Sequence, residues 1–270
     1  MIIIADSGST KTEWAIRGET GRWARVTTAG LNPRVTSDAQ FRSVLEDVKC
    51  ELPTWDGRLE VFFYGAGCGT EAMQARVRGL LAEVFAGAEG IVVEGDLLGA
   101  CRAVSEGKRG VVGILGTGSN ACLFDGVRIV RQVPSTGYIL GDEGSGNHIG
   151  RRLLKDFLTG RMPAEVSGEM KTTKEEAMGR IYGGEFPNRY MATFAPVAYR
   201  HRETDYGRRL LREVFEAFWR EMVCPIADGG EVRLVGSVAA AFEREIRAAA
   251  PEGFCIERVV KSPIDCLIEK

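Results

Sequence analysis

The sequence predicts an α/β protein with two lobes, each built on a mixed β-sheet. An apolar run at residues 1–5 enters a turn of small polar residues at 6–12, and residues 13–18 leave that turn as a second strand. The same strand, turn and strand recur roughly a hundred residues later, at 110–126. Alternating strand and helix patterns follow both copies. The repetition indicates a duplicated structural unit.

The first copy continues with a third strand at 22–29 and an amphipathic helix whose apolar face includes Phe41, Val44, Leu45 and Val48. Apolar residues of this helix recur at i, i+3, i+4 and i+7, and Ser37 or Asp38 is its expected N-cap. The elements that follow alternate in type: a strand at 59–64, a helix at 71–85, a strand at 91–94 and a helix at 97–105.

The polar stretch 105–110 predicts a domain boundary, which divides the chain into lobes at 1–107 and 108–261, with 262–270 able to pack back on the first lobe. The second lobe adds a strand at 127–133, a helix at 145–158, a loop at 159–174, helices at 174–182 and 191–199, a strand at 232–235, a helix from 238 and a strand at 254–260. A further helix lies between the helix at 191–199 and the strand at 232–235. Its wide apolar face at 210–222 is expected to lie in the core or at a subunit interface.

Composition narrows the classes of function. The 35 basic and 37 acidic residues leave a formal charge of −2, so we expect no nucleic-acid or membrane partner. The seven cysteines are scattered and form no C-x-x-C pair, which favours reduced, mostly buried thiols. No window is long and apolar enough for a membrane span. These features together predict a cytoplasmic protein.

The first turn has the chemistry of a phosphate site. A strand that breaks into hydroxyl-bearing residues behind Asp6 offers backbone N–H groups, hydroxyl donors and one oxygen anion, which suit a nucleotide triphosphate and its Mg²⁺. If the second turn faces the first, the nucleotide lies between them. Asp96 follows a buried strand and opens a helix, so it is a candidate general base for a hydroxyl acceptor. An ordinary helix N-cap explains Asp96 equally well.

Four segments in this order resemble the loops of the N-acetylglucosamine kinases: residues 6–12 and 116–120 resemble the two phosphate loops, 141–146 the sugar-contact loop and 236–239 the adenosine loop. These kinases belong to the BadF/BadG/BcrA/BcrD group, within the superfamily of actin, hexokinase and the chaperone ATPases. The resemblance implies a two-domain ribonuclease H-like (actin-like ATPase) fold with duplicated βββαβαβα units and an interdomain nucleotide cleft. It also implies ATP and Mg²⁺ as cofactors and a homodimer.

The implied activity is transfer of the γ-phosphoryl group of ATP to the 6-hydroxyl of an amino sugar, with N-acetylglucosamine as the expected acceptor. Asp6 corresponds to the magnesium anchor and Asp96 to the catalytic base, which also contacts the sugar. The nucleotide contacts implied by the resemblance are Ser9, Thr10, Lys11, Gly116, Thr117, Gly118, Gly236 and Ser237. The implied sugar contacts, besides Asp96, are Asn32, Ser119, Asn120, Gly137 and Asp142.

Several of these residues have plainer explanations. Asn32 precedes a proline and can simply form an Asn-Pro turn. Thr117 can belong to a tight hairpin, and Lys11 can point to solvent from an alternating strand. Glu143 either assists Asp142 or caps the helix that begins near Ser145. The chain also departs from the family at 135–138, where Ser-Thr-Gly-Tyr replaces a Gly-Trp-Gly type sequence, and in a short C-terminus.

Two other functions remain open. An ATPase activator of a 2-hydroxyacyl-CoA dehydratase belongs to the same broad group, but it needs two cysteines for a bridging [4Fe–4S] cluster, and Cys122 has no suitably placed second cysteine. A non-catalytic amino-sugar sensor is the other alternative. Against it, both Asp6 and Asp96 are present and no additional helix-turn-helix segment is found.

Overall fold

The computed structural model describes residues 1–18, 21–52 and 58–269. The chain forms two compact units: unit 1 comprises Met1–Glu106 together with the C-terminal segment that starts at Ser262, and unit 2 comprises Gly107–Lys261. Each unit has a five-stranded mixed sheet and a separate hydrophobic core. No helix of the described residues is long and apolar enough to cross a membrane.

Unit 1 begins with an antiparallel meander, and parallel strands then extend its sheet. Its elements are β1 (Ile2–Ser7), β2 (Lys11–Arg17), β3 (Trp23–Ala29), α1 (Asp38–Cys50), β4 (Glu60–Gly65), α2 (Glu71–Val84), β5 (Gly90–Gly95) and α3 (Asp96–Ser105). The strand order is β3-β2-β1-β4-β5, and β1 pairs in parallel with β4.

The two faces of β1 have different partners. Ile3 and Ala5 are fully buried in a core with residues of α1 and α2, such as Phe41 and Val77. Because side chains alternate along a strand, Asp6 lies on the opposite face. The alternation of β1 therefore keeps this carboxylate out of the apolar core.

At the start of α1, Ser37 is the N-cap and exchanges hydrogen bonds with Gln40 in a capping box, which confirms the N-cap predicted at this position.

Unit 2 repeats the meander and adds a helical region between β8 and β9. Its elements are β6 (Gly110–Leu115), β7 (Ser119–Phe124), β8 (Ile129–Gln132), α4 (Gly137–Leu140), α5 (Gly146–Leu158), α6 (Ala164–Ser167), α7 (Lys174–Gly183), α8 (Pro187–Ala192), α9 (Ala195–Arg200), α10 (Asp205–Phe218), β9 (Gly230–Val235), α11 (Ser237–Ala241), α12 (Glu243–Ala248) and β10 (Phe254–Val260). The strand order is β10-β9-β6-β7-β8, with β6 parallel to β9.

The apolar face predicted at 210–222 is part of the core of unit 2. It runs along α10 and into a π-helical turn, Trp219–Val223. Its seven apolar residues are all buried within the unit: Leu210, Leu211, Val214, Phe215, Phe218, Trp219 and Met222. The alternative expectation of a subunit interface on this face is wrong, because the unit's own side chains already cover it.

Three predicted elements of unit 2 differ from the structure. The helix expected at 191–199 is divided into α8 and α9, because Pro196 occupies the first turn of α9 and cannot donate a hydrogen bond inside a continuous helix. The helix expected from Val238 is likewise divided at Phe242, which leaves helical geometry (φ −114°) and is buried in the core. The loop expected at 159–174 contains the short helix α6.

The C-terminal helix α13 (Pro263–Leu267) packs on unit 1. Ile264 is fully buried, Arg25 forms a 2.8 Å ion pair with Asp265, and the Ser262 hydroxyl donates to the Glu13 carboxylate on β2. Since Glu13 is the direct cross-strand partner of Asp6, this short helix closes the sheet face that carries Asp6.

Candidate functional site

The first hairpin is held rigidly by its own hydroxyl groups. The Ser7 and Thr12 hydroxyls are 2.8 Å apart, and the Leu31 N–H donates to the Ser7 hydroxyl at 3.1 Å. Gly30 packs against the turn so closely that a Cβ atom there would lie 2.5 Å from the Gly8 carbonyl oxygen. The chain that leaves β3 therefore lies directly on the turn and fixes its shape.

Asn32 is placed beside this hairpin. Its amide nitrogen donates to the Ser9 hydroxyl at 3.4 Å, and its amide oxygen accepts from the Arg34 N–H at 3.0 Å. Gly67, with a φ of +85°, leaves room for the Asn32 amide where a side chain would overlap it. The structure thus contains the expected Asn-Pro turn and also brings Asn32 to Ser9. A sugar contact at Asn32 stays a prediction.

Asp6 is a half-buried carboxylate near the end of β1. Burial, followed by repulsion from Asp96 and Glu13, raises the pKa of Asp6 from 3.8 to about 7, while Lys11 opposes the shift. Lys11 is mostly exposed and forms an ion pair with Glu13 on the same face of β2. Lys11 therefore points to solvent from β2 and pairs with Glu13. This is the alternative that the sequence left open for Lys11.

Asp96 lies at the same sheet edge as Asp6. Ser7, Gly65 and Gly95 are in register across β1, β4 and β5, so these strands end on one line, and Asp96 is the next residue after β5. Two strand spacings separate the ends of β1 and β5, which is about 10 Å. This is the edge at which open α/β sheets place ligands.

The environment of Asp96 differs from that of a simple N-cap. Gly95 is the N-cap of α3, and Asp96 is the first helical residue. One Asp96 carboxylate oxygen accepts from the Leu97 N–H at 2.9 Å. Burial raises the pKa of Asp96 from 3.8 to about 6, although bonds from the N–H groups of Leu97 and of Asp96 itself lower it. Such a group is ionised at neutral pH and basic enough to share a proton with a hydroxyl.

The second hairpin is joined to the loop that precedes α5. The Gly116 N–H donates to the Gly118 carbonyl at 2.9 Å, and the Gly146 N–H donates to the Gly116 carbonyl at 2.8 Å. Asp142 lies on this hairpin: its carboxylate accepts from the Ser119 N–H at 3.2 Å, and a Cβ at Gly118 would be 2.9 Å from it. The sequence placed these residues in two separate loops, and the structure brings them together.

The side chains of Ser119 and Asn120, two of the predicted sugar contacts, lie on opposite faces of β7. The buried Ser119 hydroxyl donates to the Glu143 carbonyl at 2.7 Å. Consecutive residues of β7 point to opposite faces, and the Asn120 amide oxygen accepts instead from Gln132 on β8 at 3.3 Å. Gly137 (φ +74°) opens α4 and accepts a 2.9 Å hydrogen bond from the Gly141 N–H. Ser119 thus has a clear structural role, and contacts of all three with a sugar stay predictions.

Ser145, and not Glu143, caps α5, since its hydroxyl accepts from the His148 N–H. Asp142 has a positive φ of 61°, which is uncommon for a residue with a side chain. Burial, with a smaller contribution from the neighbouring Glu143, raises the pKa of Asp142, while the Ser119 N–H and Arg151 oppose the shift.

Unit 2 contains a cavity of about 390 Å³ at the carboxyl ends of β6 and β9. Gly116, Thr117, Gly146 and Ser237 are among the residues that line it. The rest of the lining is mainly apolar and includes Ala192, Ala195, Pro196, Tyr199, Val238, Ala241 and Phe242. A volume of this size is typical of small-molecule sites.

Three residues predicted as nucleotide contacts, Gly116, Thr117 and Ser237, therefore share one cavity. Gly236 precedes Ser237 with a φ of +119°, and a side chain there would overlap the Leu115 carbonyl, so only glycine lets β9 turn at this point. Sequence reasoning missed the wall formed by α8 and α9, because small and apolar residues in short helices carry no signal for a binding site.

The carboxylates of the described residues suit a Mg²⁺ ion that is held mainly by a nucleotide. In the part of the chain that the structure describes, no three His, Cys, Asp or Glu side chains form a metal cluster. Magnesium on a nucleotide needs only one or two protein carboxylates, since phosphate and water oxygens complete its coordination. Asp6, a carboxylate with a raised pKa and further acidic groups nearby, fits that requirement.

Comparison with solved structures identifies the family. A presumed N-acetylglucosamine kinase from Porphyromonas gingivalis is 33% identical to this chain, with 100% of this chain and 98% of that one covered and a TM-score of 0.88. The chain belongs to the N-acetylglucosamine kinase family. Family membership, together with the two mixed sheets, confirms the predicted actin-like α/β fold.

More distant structures share the fold of this kinase family member. A presumed N-acetylglucosamine kinase from Chromobacterium violaceum is 21% identical, with 93% and 91% of the two chains covered and a TM-score of 0.66. A ROK family glucokinase from Streptomyces griseus, solved with glucose and AMPPNP, is 15% identical, with 97% and 94% covered and a TM-score of 0.58. No protein-family model and no curated protein matched the chain.

Proposed function

We propose that this protein is an ATP-dependent sugar kinase that transfers the γ-phosphoryl group to the 6-hydroxyl of an amino sugar, with N-acetylglucosamine as the first acceptor to test. The observation that carries the proposal is the cavity of unit 2, where the carboxyl ends of β6 and β9 meet at the second hairpin. Membership of the N-acetylglucosamine kinase family supports the reaction class.

The cavity suggests how ATP binds to unit 2. Its apolar lining, which includes Tyr199 and Phe242, suits a flat base, and the two rings meet edge to face with centroids 5.6 Å apart. Gly116 and Thr117, which also line the cavity, offer backbone and hydroxyl donors to phosphate oxygens. Ser237 and Gly236 then contact the adenosine, and Gly118 supports the turn. That Ser9, Thr10 and Lys11 of the first hairpin bind the same nucleotide stays a prediction.

The catalytic roles are assigned to the carboxylates of unit 1. Asp96 orients the acceptor hydroxyl and takes up its proton, and its pKa of about 6 keeps it ionised at pH 7. Asp6 holds Mg²⁺ through oxygen ligands. The metal, when bound, balances the negative charge of the transferring phosphoryl group.

Binding of the sugar hydroxyls is assigned to polar side chains next to the two hairpins. Asn32 beside Ser9, and Asp142 on Gly118, offer an amide and a carboxylate to sugar hydroxyls. The activator alternative is disfavoured by Cys122, which is fully buried within unit 2 and cannot reach a cluster shared between subunits. A homodimer and a cytoplasmic location remain predictions.

A coupled ADP-release assay across a panel of sugars and amino sugars tests the proposal. We expect turnover to depend on Mg-ATP and to be stimulated most by an amino sugar. Asp6→Asn should abolish the response, whereas Asp125→Asn, at a half-buried carboxylate in the β7–β8 turn, should leave it unchanged. Tight sugar binding by calorimetry without any turnover would instead support the sensor alternative and contradict the kinase.

A further inference from the structure

The segment 137–144, which lies between β8 and α5, is held mainly by hydrogen bonds, and among the apolar side chains of its helix only Tyr138 packs, partly buried, against the core of unit 2. It includes α4, none of whose residues is buried, and the side chains of Ile139 and Leu140 are 66% and 78% exposed. Gly137 and Asp142, both predicted sugar contacts, lie in this segment. Apart from the packing of Tyr138, its conformation depends on polar contacts to its neighbours.

The first two turns of α5 supply those contacts. The Arg151 guanidinium donates to the Tyr138 carbonyl at 3.1 Å and to the Ile139 carbonyl at 2.5 Å. The Asn147 amide donates to the same Tyr138 carbonyl at 3.0 Å. At the far end of the segment, the buried His148 ring accepts from the Gly144 N–H at 3.1 Å. Asp142, with its unfavourable positive φ, lies between these two anchored ends.

Asn147 also connects the segment to the second hairpin. Its side chain is fully buried, and its backbone N–H donates to the Thr117 carbonyl at 3.0 Å. Its amide oxygen is buried without a hydrogen-bond partner among the described residues, which is a cost that an apolar residue would not carry. The start of α5 thus touches both the hairpin that lines the nucleotide cavity and the segment that carries Asp142.

We propose that Arg151 is a positioning residue for sugar binding, which fixes the segment 137–142 so that Asp142 is presented in its strained conformation next to Ser119. The inference rests on the proposed kinase function. A charged donor that bridges two consecutive carbonyls restrains both the position and the direction of the chain, whereas the apolar packing of α4 is limited to the partly buried Tyr138. Asn147 supports the same segment with one neutral hydrogen bond.

Three variants test the role of Arg151. Arg151→Met removes the Nη1 group that makes both hydrogen bonds and keeps the aliphatic stem, whereas Arg151→Lys keeps the charge but places its nitrogen one bond closer to the backbone than Nη1, which shortens its reach to the two carbonyls. Arg152→Met is the matched control, because Arg152 is the adjacent residue of α5 and pairs with Glu213 on α10 instead. Each protein is examined by hydrogen–deuterium exchange of peptides covering 137–145 and by steady-state kinetics in sugar and in ATP.

We expect amide exchange across 137–145 to rise about tenfold or more in Arg151→Met, and KM for the sugar to rise about tenfold to a hundredfold. KM for ATP should stay within about twofold, because the hairpin contacts remain. Arg151→Lys should lie between wild type and Arg151→Met, and Arg152→Met should match wild type in both measurements.

Unchanged exchange in Arg151→Met, or raised exchange with an unchanged sugar KM, would overturn the positioning role. If Arg151→Met does not fold, the comparison of Arg151→Lys with Arg152→Met decides by the same two criteria. Absence of turnover by wild type with every sugar is a different result: it refutes the proposed function and with it the sugar-binding role, whatever the exchange data show.

Discussion

Replacing Asp96 by asparagine should stabilise the protein and inactivate it at the same time. Burial raises the pKa of Asp96 from 3.8 to about 6, so the ionised carboxylate is less favourable in the folded protein than in the unfolded chain. A shift of that size corresponds to about 3 kcal/mol at a pH above both values. Asparagine keeps an oxygen that can accept from the Leu97 N–H but has no charge to desolvate.

The sign of the effect fixes its pH dependence. Because the folded pKa is raised, the contribution of Asp96 to stability is fully present below about pH 4 and is lost as the pH rises through about 6. Asp96→Asn should therefore equal wild type near pH 4 and exceed it by about 2–3 kcal/mol at pH 8, measured by urea unfolding. In the ADP-release assay, kcat should fall about a hundredfold or more, while the KM for ATP stays nearly constant.

Asp125→Asn is the control of opposite sign. Hydrogen bonds from the N–H groups of Arg128 and Val127 lower the pKa of Asp125, so its carboxylate favours folding above the unfolded pKa. Its asparagine variant should lose stability at pH 8, without loss of turnover. The reasoning on Asp96 is refuted if Asp96→Asn is no more stable than wild type at pH 8, or if its advantage does not change between pH 4 and pH 8.

Three further outcomes are expected. At saturating Mg-ATP, kcat/KM for the sugar should fall about tenfold per pH unit below about 6, because Asp96 must be ionised; a flat profile to about pH 5 would exclude it as the base. Gly236→Ala should destabilise by about 2–4 kcal/mol in urea, since the left-handed φ and the Leu115 carbonyl exclude a side chain. Gly179→Ala, at an open position in α7, should be neutral or gain about 0.5–1 kcal/mol, and equal losses would contradict this account. Ala241→Trp should fill the cavity of unit 2 and raise the KM for ATP about tenfold or more, with the exposed Ala164→Trp as control; an unchanged KM would place the nucleotide elsewhere.

Much of the fold followed from local chemistry. The strands around both hairpins were predictable because apolar runs broken by small polar residues have few alternatives, and the first turn of α1 was predictable because Ser37 caps within three residues. The predicted bounds of two helices were wrong, because an apolar pattern continued across a residue at which the helix ends. Pro196 interrupts a helical pattern that periodicity alone reads as continuous, and Phe242 does the same by turning its ring into the core.

The candidate site was only partly visible in the sequence. Asp6 and Asp96 could be placed at one sheet edge, since parallel strands end together. The opposite orientations of Ser119 and Asn120 also follow from strand alternation, but the partners of each, Glu143 and Gln132, do not. Nothing in the spacing of α8 and α9 indicated that they line the cavity with Ser237, because that contact joins segments about forty residues apart.

The sequence by itself determined which side chains are available: two carboxylates behind buried strands, two glycine hairpins and one wide apolar helical face. Tertiary structure alone decided what each of them meets. Periodicity shows that the face along α10 must be covered, but only packing shows that unit 2 itself covers it. The same holds for Arg151, since a guanidinium on a helix surface has no preferred partner until the chain brings the Tyr138 and Ile139 carbonyls within reach. Local patterns specify conformation over a few residues, whereas contacts between distant segments depend on how the whole chain packs.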